Sequence, residues 1–401
     1  MIIWIISPYG PVPGEGWRDH RFTMLGRALA ARGHTVAWWT ASFAHQFKAQ
    51  RPLSQPSVDV EPGFSIRFVR TPAYTRNVGF GRLLFEAVFA FRVWQQARTL
   101  ITRERPDWVL AGEPPKLGGV VARWLAKRSN GRFAVDVLDL WPELWVTSAP
   151  RWLRPLVWLG SRPLVALRRS LLQDADIVFA VNETYRRAAN ANGARGALTA
   201  YIGVDASQVG KAAVPEIAVA SPVIAVYAGS LGVNYDIPAL LTAVRLMHTR
   251  SPRIHFVVAG DGPLASMVRE AADVLPNLTF LGRLSVPELN ALYARAHIAL
   301  APYGVASTVA LPVKLFDYLA AGLPIISSLP GEMAGLLSRH HVGTTYVAGD
   351  AESLVRVMLG LAGDGRGLSV MAANARQLAS TFDAAQQYER VADAMESKPC
   401  L

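Results

Sequence analysis

The chain has 401 residues, 51% hydrophobic and 18% charged, a balance that suits two globular domains and excludes a disordered chain. Its net charge of +11 is one-sided: Lys and Arg outnumber Asp and Glu by 27 to 15 over residues 1–205 and stand at 14 to 15 beyond, so the first half calls for an anionic partner. The one cysteine, Cys400, excludes an internal disulfide and a cysteine-based zinc site, and fits a reducing cytoplasm.

The opening MIIWIISPYG has no basic leader and an apolar run one strand long, so Met1–Ser7 reads as a buried first strand and not a signal peptide. A Gly/Pro-rich loop, Gly10 to Gly16, precedes a helix over Arg21–Arg32 that Gly33 ends, and HTVAWWT is the second strand. Further strands are expected at Trp108–Gly112, Phe133–Asp139 and Asp176–Asn182. Two stretches between them are apolar and basic. Phe80–Arg103 reads as a core helix with solvated arginines. Arg151–Arg169, with five Arg, two Trp and no acid, reads as a membrane-contact helix.

The pattern restarts after residue 205. Pro222–Gly229 is a strand, a helix follows from about Ile237, and IHFVVAGDGP, LTFLG, IALAPY and PIISS supply more strands. Strands alternating with helices predict parallel sheets covered on both faces. The aperiodic Tyr201–Ser221 is the expected boundary, giving domains over 1–205 and 206–383, with 384–401 a last helix that packs back on the first domain. No run of about 18 uninterrupted apolar residues is present, so no membrane span is expected.

The later segments YAGSLG (Tyr227–Gly232), VVAGDGP (Val257–Pro263), Leu278–Tyr303 and LPVKLFDYLAAGLPIISS (Leu311–Ser328) resemble, in this order and spacing, the retaining glycosyltransferases of family 4, also called group 1. In the first half, RGHTVAWWT and ADIVFAVNE are similar to that family's steps, and DLWPE (Asp139–Glu143) resembles members that build bacterial surface polysaccharides. The resemblance covers nearly the whole chain. It implies an α/β GT-B architecture of two facing Rossmann-like domains with an interdomain cleft. It also implies hexosyl or N-acetylhexosaminyl transfer from a nucleotide-sugar donor, UDP first.

Physically, Lys314 and Asp317 are three apart and share a helix face. Pro312 suits the first helical turn, where a diphosphate would meet free N–H groups and the Lys314 charge, with Asp317 bonding a ribose diol. The expected donor set is Gly229, Ser230, Arg283, Leu284, Val313, Lys314 and Asp317. Where the family has two glutamates with seven residues between them, the second resembles Asp317 and the first aligns with Val309, and the loop after Gly229 lacks the family's cation.

On the acceptor side, Gly14 and Gly16 open the loop after the first strand to a close approach, and His45 and Glu143 are further polar candidates. Asp139, at a strand end, and His20 are candidates to orient or deprotonate an acceptor hydroxyl. The family's front-face scheme needs no protein nucleophile, so Lys314 would stabilise the departing diphosphate. Asp174 and Asp176 are not read as metal ligands, and metal-independent transfer without a cofactor is expected. The expected partners are the nucleotide sugar, a glycan or lipid-diphosphate-linked acceptor and an anionic membrane surface, at the inner face of the cell membrane. Nucleic acid is not among them, since no nucleic-acid motif is found. GxGxxG is absent after the first strand, which argues against a nicotinamide enzyme. A nucleotide-sugar epimerase or a non-catalytic nucleotide-sugar-binding protein are the alternatives.

Overall fold

The computed structural model describes residues 1–16, 18–75, 79–141, 146, 149–204, 222–251 and 253–397. The chain forms two compact units, Met1–Ile202 with Ala385–Leu401, and Gly203–Ala384. The expected boundary after residue 205 falls outside the described residues. Gly203 and Val204 group with the second unit because Val204 N–H donates to Phe382 O at 3.0 Å and Ala384 N–H to Val204 O at 3.0 Å.

The first unit is built on eight strands. They are β1 (Ile2–Ile6), β2 (Thr35–Ala41), β5 (Ser57–Glu61), β6 (Phe64–Val69), β7 (Trp108–Glu113), β8 (Arg132–Val137), β9 (Ile177–Ala180) and β10 (Leu198–Thr199). Their order is β10-β9-β8-β7-β1-β2-β6-β5, parallel except for the β5–β6 hairpin. Phe43–Ala44 (β3) and Ala49–Gln50 (β4) make a separate antiparallel pair. These hairpins escape the sequence reading because β5 is short, polar and exposed, and needs no apolar alternation. Central strand β1 is apolar throughout, and β7 up to its last residue, Glu113, because helices cover both faces. The abundant tryptophan is spent here: Trp4, Trp38, Trp39 and Trp108 are fully buried, with Trp4 and Trp39 edge to face at 5.5 Å.

Helix Ala384–Glu396 completes the first unit. Tyr388 OH donates to Ile202 O at 2.9 Å, and Arg32 bonds Glu389, Asp393 and Glu396. At the core of this seam Arg21 grips Asp136 with two bonds of 2.7 and 2.8 Å, donates to Ala200 O, and lies 5.4 Å from the Tyr388 ring centroid.

The second unit is a parallel sheet of β11 (Val223–Ala228), β12 (Ile254–Ala259), β13 (Leu278–Gly282), β14 (Ile298–Ala301), β15 (Ile325–Ser327) and β16 (Gly343–Thr345). Its order, β13-β12-β11-β14-β15-β16, is that of a doubly wound dinucleotide-binding sheet. Some helix starts carry side-chain caps: Ser285 and Glu288 form a capping box, and Asp350 accepts from Ser353 N–H at 2.9 Å. Among the described residues no helix is long and apolar enough to cross a membrane.

Candidate functional site

In the second unit the strand order reverses between β11 and β14. The crevice at their carboxyl ends is where a doubly wound sheet accepts ligands. Three segments meet there. Gly229 and Ser230 leave β11, Tyr303 leaves β14, and helix Lys314–Ala320 runs in from the next loop. Tyr318 ties that helix down: its hydroxyl donates to Leu300 O at 3.1 Å and accepts from Ala228 N–H at 3.2 Å.

The centre of the site is Lys314. Its Nζ is out of solvent and has no hydrogen-bond partner among the described residues. It lies 4.3 Å from the Tyr227 ring centroid, 4.4 Å from that of Tyr235 and 5.3 Å from that of Tyr303. Aromatic faces stabilise a cation but satisfy none of its donors. Burial pushes the ammonium down to about 7, and Asp317, one turn on, pulls it back up. A Cβ on Gly229, where φ is +151°, would come within 2.8 Å of Nζ and push the lysine tip aside, so the glycine keeps this close approach open. Gly260 performs the same service for Gly229 itself: a Cβ there would sit 1.8 Å from Gly229 O.

The helix begins at Lys314, two residues later than Pro312 suggests. The turn before it closes with i to i+3 bonds, Pro312 O accepting from Leu315 N–H and Val313 O from Phe316 N–H. Val313 is the exposed residue at its cap, and Asp317 is half-buried on the Lys314 side. With seven residues the helix is short, so the lysine charge outweighs its dipole as an anion attractor. Ser230 is exposed beside Gly229. Exposed Arg283 and half-buried Leu284 follow β13, two strands away from β11. Val309 lies in the loop before the helix, its N–H on Ser307 Oγ at 3.4 Å.

In the first unit the expected residues do not share one cluster. The loop with Gly14 and Gly16, at φ +89° and +73°, is held by Glu15. That carboxylate accepts from Val12 N–H, Gln46 and Arg51, the last at 2.7 Å, and Arg51 also donates to Gly10 O and Ala41 O. The lock was not foreseen, because Glu15 and Arg51 are distant in sequence. His20 occupies the cap position of helix Arg21–Ala31 but makes no capping bond with its ring. Burial, and then Arg21, depress it to about 4, so its imidazole is neutral at physiological pH. His45 joins Tyr9, Tyr74 and Lys48 and is depressed to about 3 by burial, Lys48 and Arg82. β8 stops at Val137, two residues short of expectation, so Asp139 sits in a turn and not at a strand end. Its oxygens accept from Leu140 N–H at 2.8 Å and Trp141 Nε1–H at 2.9 Å. Glu143 lies outside the described residues. Asp174 pairs with Arg123, and Asp176 accepts from Phe133 N–H.

The two helices singled out in sequence each split their arginines and apolar residues between inside and outside. Phe80–Glu104 buries Phe85, Phe89 and Val93, yet leaves Phe80, Leu83, Leu84 and Phe91 exposed, while Arg82 is buried. In Arg154–Asp174, Arg168 is buried against Glu113 at 3.2 Å, while Arg154, Arg162 and Arg169 are exposed.

Two family models match the chain: glycosyl transferase 4-like domain over residues 19–205 and glycosyl transferases group 1 over residues 222–364. The comparison with curated proteins finds no match. Among solved structures, sucrose-phosphate synthase from Thermosynechococcus elongatus is similar with TM-score 0.72 at 16% identity, over 99% of this chain and 97% of that one. WaaG, a glycosyltransferase involved in lipopolysaccharide biosynthesis, gives 0.68 at 17% identity, over 99% and 100%. Anabaena Alr3699/HepE gives 0.67 at 14% identity, over 99% and 100%. With its two halves matching a glycosyl transferase 4-like and a glycosyl transferases group 1 domain in turn, and two Rossmann-like sheets of this kind, the chain is a glycosyltransferase of the GT-B fold.

Proposed function

We propose that the protein moves a sugar from a nucleoside-diphosphate donor, UDP-sugar in the first place, to a glycan or lipid-linked acceptor in surface-polysaccharide synthesis, with retention. The observation that carries the donor side is Lys314: a buried ammonium with no hydrogen-bond partner among the described residues, beside the glycine loop at the switch point of a doubly wound sheet. A diphosphate supplies the missing acceptor oxygens and the countercharge. Asp317 takes the ribose diol, Gly229 and Ser230 offer backbone to the phosphates, and Val313, Arg283 and Leu284 line the approach. As the sugar–phosphate bond breaks, negative charge grows on the leaving diphosphate, where Lys314 already stands. HepE, similar in fold, was crystallised with UDP and with UDP-glucose, which supports uracil as the base.

On the acceptor side His20 and Asp139 are the candidates to orient or deprotonate the acceptor hydroxyl: the His20 ring is neutral at physiological pH, its depressed pKa making it a weak base, and the Asp139 oxygens accept from Leu140 N–H and Trp141 Nε1–H. Gly14 and Gly16 keep the loop after β1 open, and His45 supports it from the neighbouring aromatic cluster. Transfer needs no metal in this reading, and the protein works at the inner face of the cell membrane.

Calorimetric titration with UDP, GDP, ADP and NAD tests the donor site. One nucleoside diphosphate should bind wild type and lose at least about tenfold in affinity with Lys314→Ala, as expected for a charge-assisted contact. Equal binding by wild type and variant would remove Lys314 from the site. UDP binding without hydrolysis or transfer of UDP-glucose would favour the non-catalytic alternative.

A further inference from the structure

The first unit has its own switch point. From β1 the chain builds outwards through β2 to β6, then returns to the other side of β1 at β7. Next to the carboxyl end of β7 lies a groove of about 350 Å³, floored by Pro114, Lys116 and Trp141 and walled by Leu83, Leu84 and Leu164. Ligands of doubly wound sheets enter at this end.

The chemistry of the lining narrows the ligand. Glu86 and Lys116 are the charged residues in it, and both are engaged within the protein. Glu86 accepts from Tyr9 OH at 2.6 Å and from Arg82, and Lys116 pairs with Glu113 at 3.1 Å and bonds Trp141 O. The rest of the wall is apolar. Sugar hydroxyls would lose their water there for little return, whereas a hydrocarbon would lose nothing.

What surrounds the groove points the same way. Helix Phe80–Glu104 carries a second apolar stripe on its outer side, with Phe80 79% and Phe91 59% exposed. Its residues 80, 83, 84, 87 and 91 recur at helical spacing. In the segment that leads to Leu164, Trp152, Leu156, Trp158 and Leu159 are more than half exposed, among the exposed Arg151, Arg154 and Arg162. Aromatic and aliphatic side chains mixed with cations of one sign fit the surface of an anionic bilayer.

We infer that this groove holds the hydrocarbon chain of a membrane lipid acceptor, drawn from an anionic bilayer on which the surrounding helices rest. This rests on the transferase reading above and assigns the acceptor's class.

Farnesyl diphosphate, a soluble prenyl probe, tests it by calorimetry on the intact protein. Wild type should bind it. Leu84→Glu and Leu164→Glu should each weaken binding by about tenfold or more, because each sets a charge against the chain. Leu84→Met should bind as wild type. UDP affinity and Tm, read on the same samples, should not change, which separates a lost groove from a lost fold. Equal affinity across all variants would overturn the inference, as would full displacement by inorganic diphosphate, which would show an anion site alone. So would groove variants that leave probe binding intact but change the oligomeric state, which would assign this face to a second copy. A groove-dependent signal in protein that fails to bind UDP would keep the groove and reject the donor site.

Discussion

Lys314 sits among three tyrosine rings with three donors and no acceptor. An unsatisfied buried donor of this kind costs about 1–3 kcal/mol, and the free protein bears that cost. The folded pKa, about 7, lies below the 10.5 of the unfolded chain. Between those values the unfolded state binds the extra proton, so this residue's contribution to stability rises with pH, and its penalty is fully present at and below pH 7. Lys314→Met should therefore raise the Tm of the free protein at pH 7 by a few degrees, at about 2–4 °C per kcal/mol, while abolishing UDP binding. A diphosphate should push the pKa back up, so wild type should take up a proton on binding UDP at pH 8, read as buffer-dependent calorimetric heat. A variant with unchanged Tm and unchanged UDP affinity would refute both. The candidacy of Lys314 is legible from its spacing to Asp317. The tyrosines are not, because Tyr227, Tyr235 and Tyr303 converge only when two strand ends are brought side by side.

At the scale of elements, the donor site is a meeting of loops whose closeness depends on absent side chains. Gly229 N–H donates to Ala259 O at 3.0 Å, and Gly260 N–H to Gly282 O at 2.7 Å, so the loops after β11, β12 and β13 are stitched edge to edge. Gly260→Ala puts a methyl where Gly229 O now lies, at a φ of +147° that disfavours any side chain. We expect UDP affinity to fall by at least about tenfold and the second unit to lose about 1–3 kcal/mol, measured by calorimetry and denaturant titration. Wild-type values for both would show that the loops are free to part. The glycine motifs announce loops of this kind in the sequence. Which glycine serves which neighbour depends on strand order.

At the scale of the molecule, the arginines of the first half fall into two sets. Arg21, Arg51, Arg82 and Arg168 are buried and paired with Asp136, Glu15, Glu86 and Glu113, where they staple elements together. Arg154, Arg162 and Arg169 remain exposed on the helix whose Leu164 lines the apolar groove. Arg21→Met should leave Asp136 buried and unpaired and cost the first unit about 3–5 kcal/mol. Helix Ala384–Glu396 should loosen with it in hydrogen exchange, while UDP binding by the second unit persists. Loss of UDP binding in a protein whose first unit still melts normally would contradict this. The alternation of apolar strands with amphipathic helices, the restart after residue 205 and the ordered glycine and Lys314–Asp317 motifs were set by the sequence alone, because each depends on neighbours within a few residues. Tertiary structure alone decided the tyrosine box, the Glu15–Arg51 lock, the turn that takes up Asp139, the inward arginines and the apolar groove. Each of these joins residues far apart in the chain, and whether a charge or a leucine ends up buried, paired or bare depends on what the folded chain brings to meet it.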